Sequence, residues 1–214
     1  MESKQKQVAY TTTNTYETLN TLTQSTKNVW LVFHGIGYLS RYFLKYFNEL
    51  NSDENYIIAP QAPSKYYLNN SYKHVGASWL TKENTPLEIN NVTTYLDAVF
   101  GAENIPQNCN FIIFAFSQGV SIATRWLAHK QLKCNQLILY AGGIPNELKP
   151  IHFRFLEENK TKIKVIVGNQ DEYLNEERIK FEVEKMKNLF NNKAELLTFE
   201  GGHEVKKELI NNLV

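Results

Sequence analysis

Phe111-Ile112-Ile113-Phe114-Ala115-Phe116-Ser117-Gln118-Gly119 decides how the rest of this chain is read. An unbroken apolar run, rich in aromatic and β-branched residues, stops abruptly at a serine between small residues. The next residues, Val120 to His129, carry apolar side chains at the spacing of a mostly buried helix. Strand, sharp turn and helix with serine at the apex is the setting of a nucleophile held in a strained backbone conformation. Small neighbours are needed beside such an apex, and Ala115 and Gly119 supply them. Alanine where glycine is usual adds one methyl group and leaves that steric requirement met. The competing reading makes Ser117 an ordinary helix N-cap.

Working outward, the flanking sequence repeats the alternation of buried strand and amphipathic helix. Val29 to Phe33, Tyr56 to Ala59, Leu137 to Tyr140, Ile163 to Val167 and Leu196 to Phe199 are short apolar runs of the kind that fill parallel sheets. Between them, Leu39, Tyr42, Phe43, Tyr46, Phe47 and Leu50 recur at helical spacing, as do Ile179, Val183, Met186 and Phe190. Thr85-Pro86-Leu87-Glu88 reads as a capping box with proline in the first turn, opening a helix whose apolar face runs from Ile89 to Phe100. Val205, Leu209 and Leu213 mark a short terminal helix. The Thr-, Tyr- and Val-rich stretch from Gln7 to Tyr16 predicts a first strand or strand pair. From Ser64 to Asn84 no periodicity is visible. The expected fold class is α/β, one domain over residues 1–214, with a mostly parallel central sheet and helices on both faces.

Composition narrows the function. The 214 residues carry 23 Lys+Arg against 22 Asp+Glu, so no net field favours nucleic acid or anionic lipid. No apolar run is long enough to span a bilayer, and Met1 to Tyr10 lacks a signal-peptide core. Two cysteines, Cys109 and Cys134, make neither a disulfide framework nor a metal cluster, although both precede strands and their proximity stays open. A cytoplasmic location is expected, with no cofactor and no metal. The expected partner is a small-molecule substrate, without nucleic acid or stable membrane insertion, and a homodimer is left open.

In a parallel sheet, ligands bind beyond the carboxyl ends of the strands. Three such ends carry complementary chemistry: Ser117, Asp171 after the Val165 run, and His203 after the Leu196 run. A serine hydroxyl attacks well only when an imidazole takes its proton, and a carboxylate holds that imidazole in the right tautomer. The Gly201-Gly202 pair lets the histidine loop fold back over the sheet. Glu172 competes with Asp171 for the acid. Asp53 would sit on the opposite edge and Asp97 on a polar helix face, while His74, His129 and His152 lack an adjoining strand end. His34-Gly35-Ile36-Gly37 ends an early strand, and the backbone N–H groups of Ile36 and Gln118 are the expected oxyanion donors. The bland alternative is a glycine turn with His34 packed beneath it.

With these residues placed, the chain resembles the α/β-hydrolase superfamily, and within it the branch of carboxylesterases, lysophospholipases and acyl-protein thioesterases. The resemblance rests on His34-Gly35-Ile36-Gly37, Phe116-Ser117-Gln118-Gly119, the pair Ser78-Trp79, and Gly202 to Leu209. The order Ser, Asp, His is also that of the superfamily. Ala115, Val120, Tyr38 and Leu80-Thr81 depart from the branch's usual residues, and the departures bear on substrate choice. The resemblance implies hydrolysis of a carboxylic ester or thioester through an acyl-serine intermediate. Gly35 and Trp79 are the expected substrate-contacting residues, Trp79 as the wall of a short, partly open acyl pocket suited to short or medium chains. The aromatic residues Tyr66, Tyr67, Tyr72 and Trp79 equally suit a local cluster that holds an irregular segment down. A serine peptidase or amidase on the same fold, and a non-catalytic binding protein, remain the alternatives.

Overall fold

The computed structural model describes residues 2–69, 71–173 and 176–214. Nine strands are present among them: β1 (Tyr16–Leu19), β2 (Asn28–Phe33), β3 (Asn55–Pro60), β4 (Ser64–Tyr67), β5 (Val75–Ser78), β6 (Asn110–Phe116), β7 (Gln136–Tyr140), β8 (Lys162–Gly168) and β9 (Ala194–Phe199). Six helices accompany them: α1 (Ser40–Phe43), α2 (Thr85–Ala102), α3 (Gln118–Lys130), α4 (Arg154–Glu158), α5 (Glu176–Leu189) and α6 (Lys207–Asn211). Seven strands form the main sheet in the order β1-β3-β2-β6-β7-β8-β9, and β4 and β5 make a separate antiparallel hairpin. Only the pairing of β1 with β3 is antiparallel in the main sheet.

The apolar runs become central strands because both of their faces find cover. In β2, Val29, Leu31 and Phe33 point into one core with Val92 and Leu96 of α2 and Trp126 of α3. Trp30 and Val32 point into the other, with Phe43, Phe47 and Ile210. Helices therefore lie on both faces, as the alternation predicts. Each large side chain so buried contributes roughly 1.5–3 kcal/mol relative to exposure.

Four local expectations change. Residues 2–15 form no strand, and β1 begins only at Tyr16. Val8 and Tyr10 are almost fully exposed, and β-favouring residue types hold no strand without a face to pack on. The helix expected over Leu39 to Leu50 is one α-helical turn followed by a 3₁₀ turn over Leu44–Phe47. No capping box forms at α2: the N-cap is Asn84 with φ 49°, and the Thr85 hydroxyl donates to the Thr81 carbonyl instead. The segment read as aperiodic contains the β4–β5 hairpin, whose outer strand is exposed at every position and so leaves no alternation to read. Cys109 and Cys134 are both free and buried. Burial pushes the Cys134 thiol up to about 12, so it stays protonated and unreactive. No helix among the described residues is long and apolar enough to cross a membrane.

Candidate active site

Ser117 stands between β6 and α3 with φ 53° and ψ −121°. That left-handed conformation costs a non-glycine residue on the order of 1–3 kcal/mol and persists only where the surroundings impose it. Here they do. The Ser117 N–H donates to the Tyr140 carbonyl at the end of β7, and its own carbonyl accepts from the Val120 N–H. The residue occupies the N-cap position of α3, yet its hydroxyl makes no capping bond. The side chain is turned outward to His203, whose Nε2 lies 2.8 Å from Ser117 Oγ.

His203 arrives from β9, three strands away from β6. Its Nδ1 is 2.8 Å from Asp171 Oδ2, and the Asp171 side chain is fully buried. The loops carrying the two residues are laced together by backbone bonds, with Asn169 N–H on the Phe199 carbonyl and Gln170 N–H on the Gly201 carbonyl. Asp171 also accepts the Tyr173 N–H at 2.9 Å through Oδ1, so each of its oxygens has a partner. A carboxylate can only accept here, which makes Nδ1 the protonated nitrogen and leaves Nε2 as the acceptor facing the Ser117 hydroxyl. Glu172, the rival acid, is exposed and makes no bond to His203 among the described contacts. Asp97 is occupied elsewhere: it accepts the Trp126 indole N–H and pairs with Lys130. The imidazole of His203 rests against Phe116, with ring centroids 5.1 Å apart, and meets the Tyr173 ring edge-on at 4.8 Å. Tyr173 was not legible as a neighbour, because nothing in a loop sequence reveals which way an aromatic ring turns.

The loop after β2 lies beside Ser117. A β-carbon on Gly35 would stand 3.1 Å from that of Ser117 and 3.0 Å from the Phe116 ring, a tight fit that glycine avoids. Among the described residues, the N–H groups of Ile36 and Gln118 find no backbone acceptor. Gln118 is the first residue of α3, where N–H groups lack an intrahelical partner and the helix dipole favours negative charge.

His34 is fully buried. Its Nε2 accepts the Ala62 N–H at 3.1 Å, so the ring proton sits on Nδ1 and is donated to the Gly35 carbonyl at 2.8 Å. Burial pulls its pKa down to about 4 and keeps it neutral.

Trp79 does not wall a pocket. It is fully buried, stacked obliquely on His34 with ring centroids 5.0 Å apart, and its indole N–H donates to the His34 carbonyl at 2.8 Å. The expectation that it contacts substrate is corrected on that ground: an aromatic residue with a polar N–H is driven inward when a buried acceptor is available. The exposed aromatic residues of the segment are Tyr66, Tyr67 and Tyr72. Among the described residues, no cluster of three or more His, Cys, Asp or Glu side chains is disposed to hold a metal ion.

A mostly parallel central sheet with a strained serine after β6, a buried aspartate after β8 and a histidine after β9 defines an α/β-hydrolase fold. Residues 25–209 match the serine hydrolase (FSH1) family, and the chain belongs to it. The fold is shared with acyl-protein thioesterase 2 of Zea mays, at TM-score 0.66 and 13% identity over 94% of this chain and 96% of that one. It is shared equally with a phospholipase/carboxylesterase from Dyadobacter fermentans, at TM-score 0.66 and 21% identity over 96% and 98%. The Bacillus cereus carboxylesterase aligns at TM-score 0.60 and 16% identity over 92% and 90%. No curated protein matches the chain in sequence.

Proposed function

We propose that this hydrolase cleaves carboxylic esters or thioesters through an acyl-serine intermediate, with Ser117 as nucleophile, His203 as base and Asp171 as orienting acid. The observation that carries the reading is the unbroken chain of contacts from Ser117 Oγ through His203 to Asp171, at 2.8 Å for each link. His203 Nε2 takes the serine proton as Oγ attacks the acyl carbon, and returns it to the departing alkoxide or thiolate. Water then attacks the acyl-enzyme by the same route. The developing oxyanion is held by the N–H groups of Ile36 and Gln118, each such donor being worth about 3 kcal/mol.

A short or medium acyl chain suits the site. An apolar cavity of about 30 Å³ is lined by Gly142, just beyond the β7 end that anchors Ser117, together with Ile144, Val165 and Met186. It has room for roughly one or two water-sized groups. A space this small favours the short end of that range, so specificity constants for nitrophenyl esters should peak at short acyl length and fall as the chain grows.

The test is a fluorophosphonate probe located by mass spectrometry, run beside nitrophenyl-acetate and peptide-amide assays. Labelling at Ser117 with ester turnover and little amide turnover is expected. A dominant amidase activity would transfer the site to the peptidase reading, and neither labelling nor turnover would make the protein a binding module.

A further inference from the structure

The two oxyanion donors come from different parts of the chain, 82 positions apart by their numbers 36 and 118, and their spacing has to be held by something. One residue is bonded to both parts. The backbone N–H of Trp79 donates to Gln118 Oε1 at 2.9 Å, and its indole N–H donates to the His34 carbonyl at 2.8 Å. We propose that Trp79 is a positioning residue that sets the geometry of the oxyanion hole, an inference that rests on the acyl-serine reading above.

The surrounding bonds show how the brace works on each side. On the first side, successive peptide planes are pinned. Trp79 fixes the carbonyl of the His34–Gly35 peptide, and His34 Nδ1–H fixes the carbonyl of the Gly35–Ile36 peptide. A peptide is planar and trans, so holding the Gly35 carbonyl determines where the Ile36 N–H points. The next N–H, that of Gly37, is tied to the Ala77 carbonyl of β5 at 2.8 Å. A β-carbon on Gly76 would fall 2.5 Å from the Gly37 carbonyl, so β5 lies hard against this loop.

On the second side, the Gln118 side chain is spent entirely on the strand end. Besides accepting from Trp79, it donates through Nε2 to the Leu80 carbonyl at 2.8 Å and to the Ser78 hydroxyl at 3.1 Å. Its main-chain N–H is thereby held at the start of α3. The Ser78-Trp79-Leu80 segment thus ties the loop after β2 to the helix after β6, and it does so beneath the reacting atoms without touching them.

Trp79→Phe keeps an aromatic ring in the core but a smaller one, removes the indole donor to the His34 carbonyl, and leaves the backbone donor to Gln118 in place. Compared with the wild type on acetyl, butyryl and octanoyl nitrophenyl esters, it should lower kcat about 10- to 100-fold at every chain length, with KM nearly unchanged. Affinity for a trifluoromethyl ketone, which forms a tetrahedral oxyanion on the serine, should fall by the same factor. Gln118→Met, which keeps the backbone donor and loses the side-chain bonds, should reproduce the loss. It provides the measurement if the Phe variant fails to fold. The double variant should lose less than the product of the two, because both cut one brace.

A loss confined to KM for the octanoyl ester would overturn the inference and return Trp79 to the substrate pocket. Folded variants with wild-type kcat would also overturn it while leaving the acyl-serine reading intact. A wild type that turns over no ester and takes no fluorophosphonate would overturn both.

Discussion

Gly168, the last residue of β8, lies directly under Gly201 of the histidine loop: a β-carbon on Gly168 would be 2.4 Å from the Gly201 carbonyl oxygen. The same atom would be 2.5 Å from the carbonyl of Gly202, the residue before His203. Both neighbours are backbone and cannot rotate away. Gly168→Ala should therefore push the loop outward and lengthen the reach from His203 to Ser117. A displacement near 1 Å at a reacting group can cost about 100-fold in turnover. Overpacking should also lower stability by about 1–3 kcal/mol. Thermal unfolding and ester kinetics on the same preparation measure the two effects, and an unchanged kcat would show that the loop yields without moving the imidazole.

The strain at Ser117 makes stability and activity oppose each other at one position. Ser117→Gly removes the side chain and the penalty of φ 53° together. Relief of about 1–3 kcal/mol, less about 0.5–1 kcal/mol of added unfolded-state entropy, should leave the variant about 1 kcal/mol more stable. Turnover should fall by about 10⁶, as expected on loss of a triad nucleophile. Urea denaturation decides it: a less stable glycine variant would show that the turn is not strained by its side chain.

Asp171→Asn should reduce turnover by about 10⁴, because the amide stabilises the wrong tautomer of His203. Glu172→Gln should leave kcat within about twofold, as an exposed carboxylate without a catalytic contact contributes little. Equal sensitivity at the two positions would mean that the exposed carboxylate replaces the buried one in solution.

His34 predicts an acid limb in stability. Its folded pKa of about 4 lies below the ordinary 6.5 of an imidazole because burial disfavours the charge. The unfolded chain thus takes up the proton first. The stability contribution is complete above about pH 6.5 and is lost progressively as pH falls, the loss reaching about 3 kcal/mol near pH 4. The urea midpoint should therefore fall across that interval, and His34→Asn should flatten this part of the profile. A variant profile parallel to the wild type would assign the acid limb to other groups.

How much of this was legible follows from what each signal depends on. The central strands and the chain order of Ser117, Asp171 and His203 depend on local apolar runs and their ends, which a sequence displays directly. Asp171 stands one residue nearer the end of its strand than Glu172, a difference the sequence displays. The β4–β5 hairpin was not, because Ser64 to Tyr67 are all exposed and have no buried face to alternate against. The true N-cap of α2 was hidden as well, since Asn84 adopts positive φ without a side-chain cap. Trp79 was misjudged for a deeper reason. Its place is set by two partners distant in sequence, His34 and Gln118, and a tryptophan bound for a pocket wall looks the same in sequence as one bound for the interior.

The strand order has a practical consequence. From β6 onward, neighbours in sequence are neighbours in the sheet, so a cut in the loop between Tyr140 and α4 separates five adjoining strands of the main sheet from two. The first piece keeps Ser117, Ile36 and Gln118, and the second keeps Asp171 and His203. On the proposed acyl-serine reading, neither piece alone pairs a nucleophile with its base. Joined again along β7 and β8, they would restore the complete site, so ester turnover would count reassembled molecules. The chain is thereby laid out as a split reporter whose signal is its own chemistry.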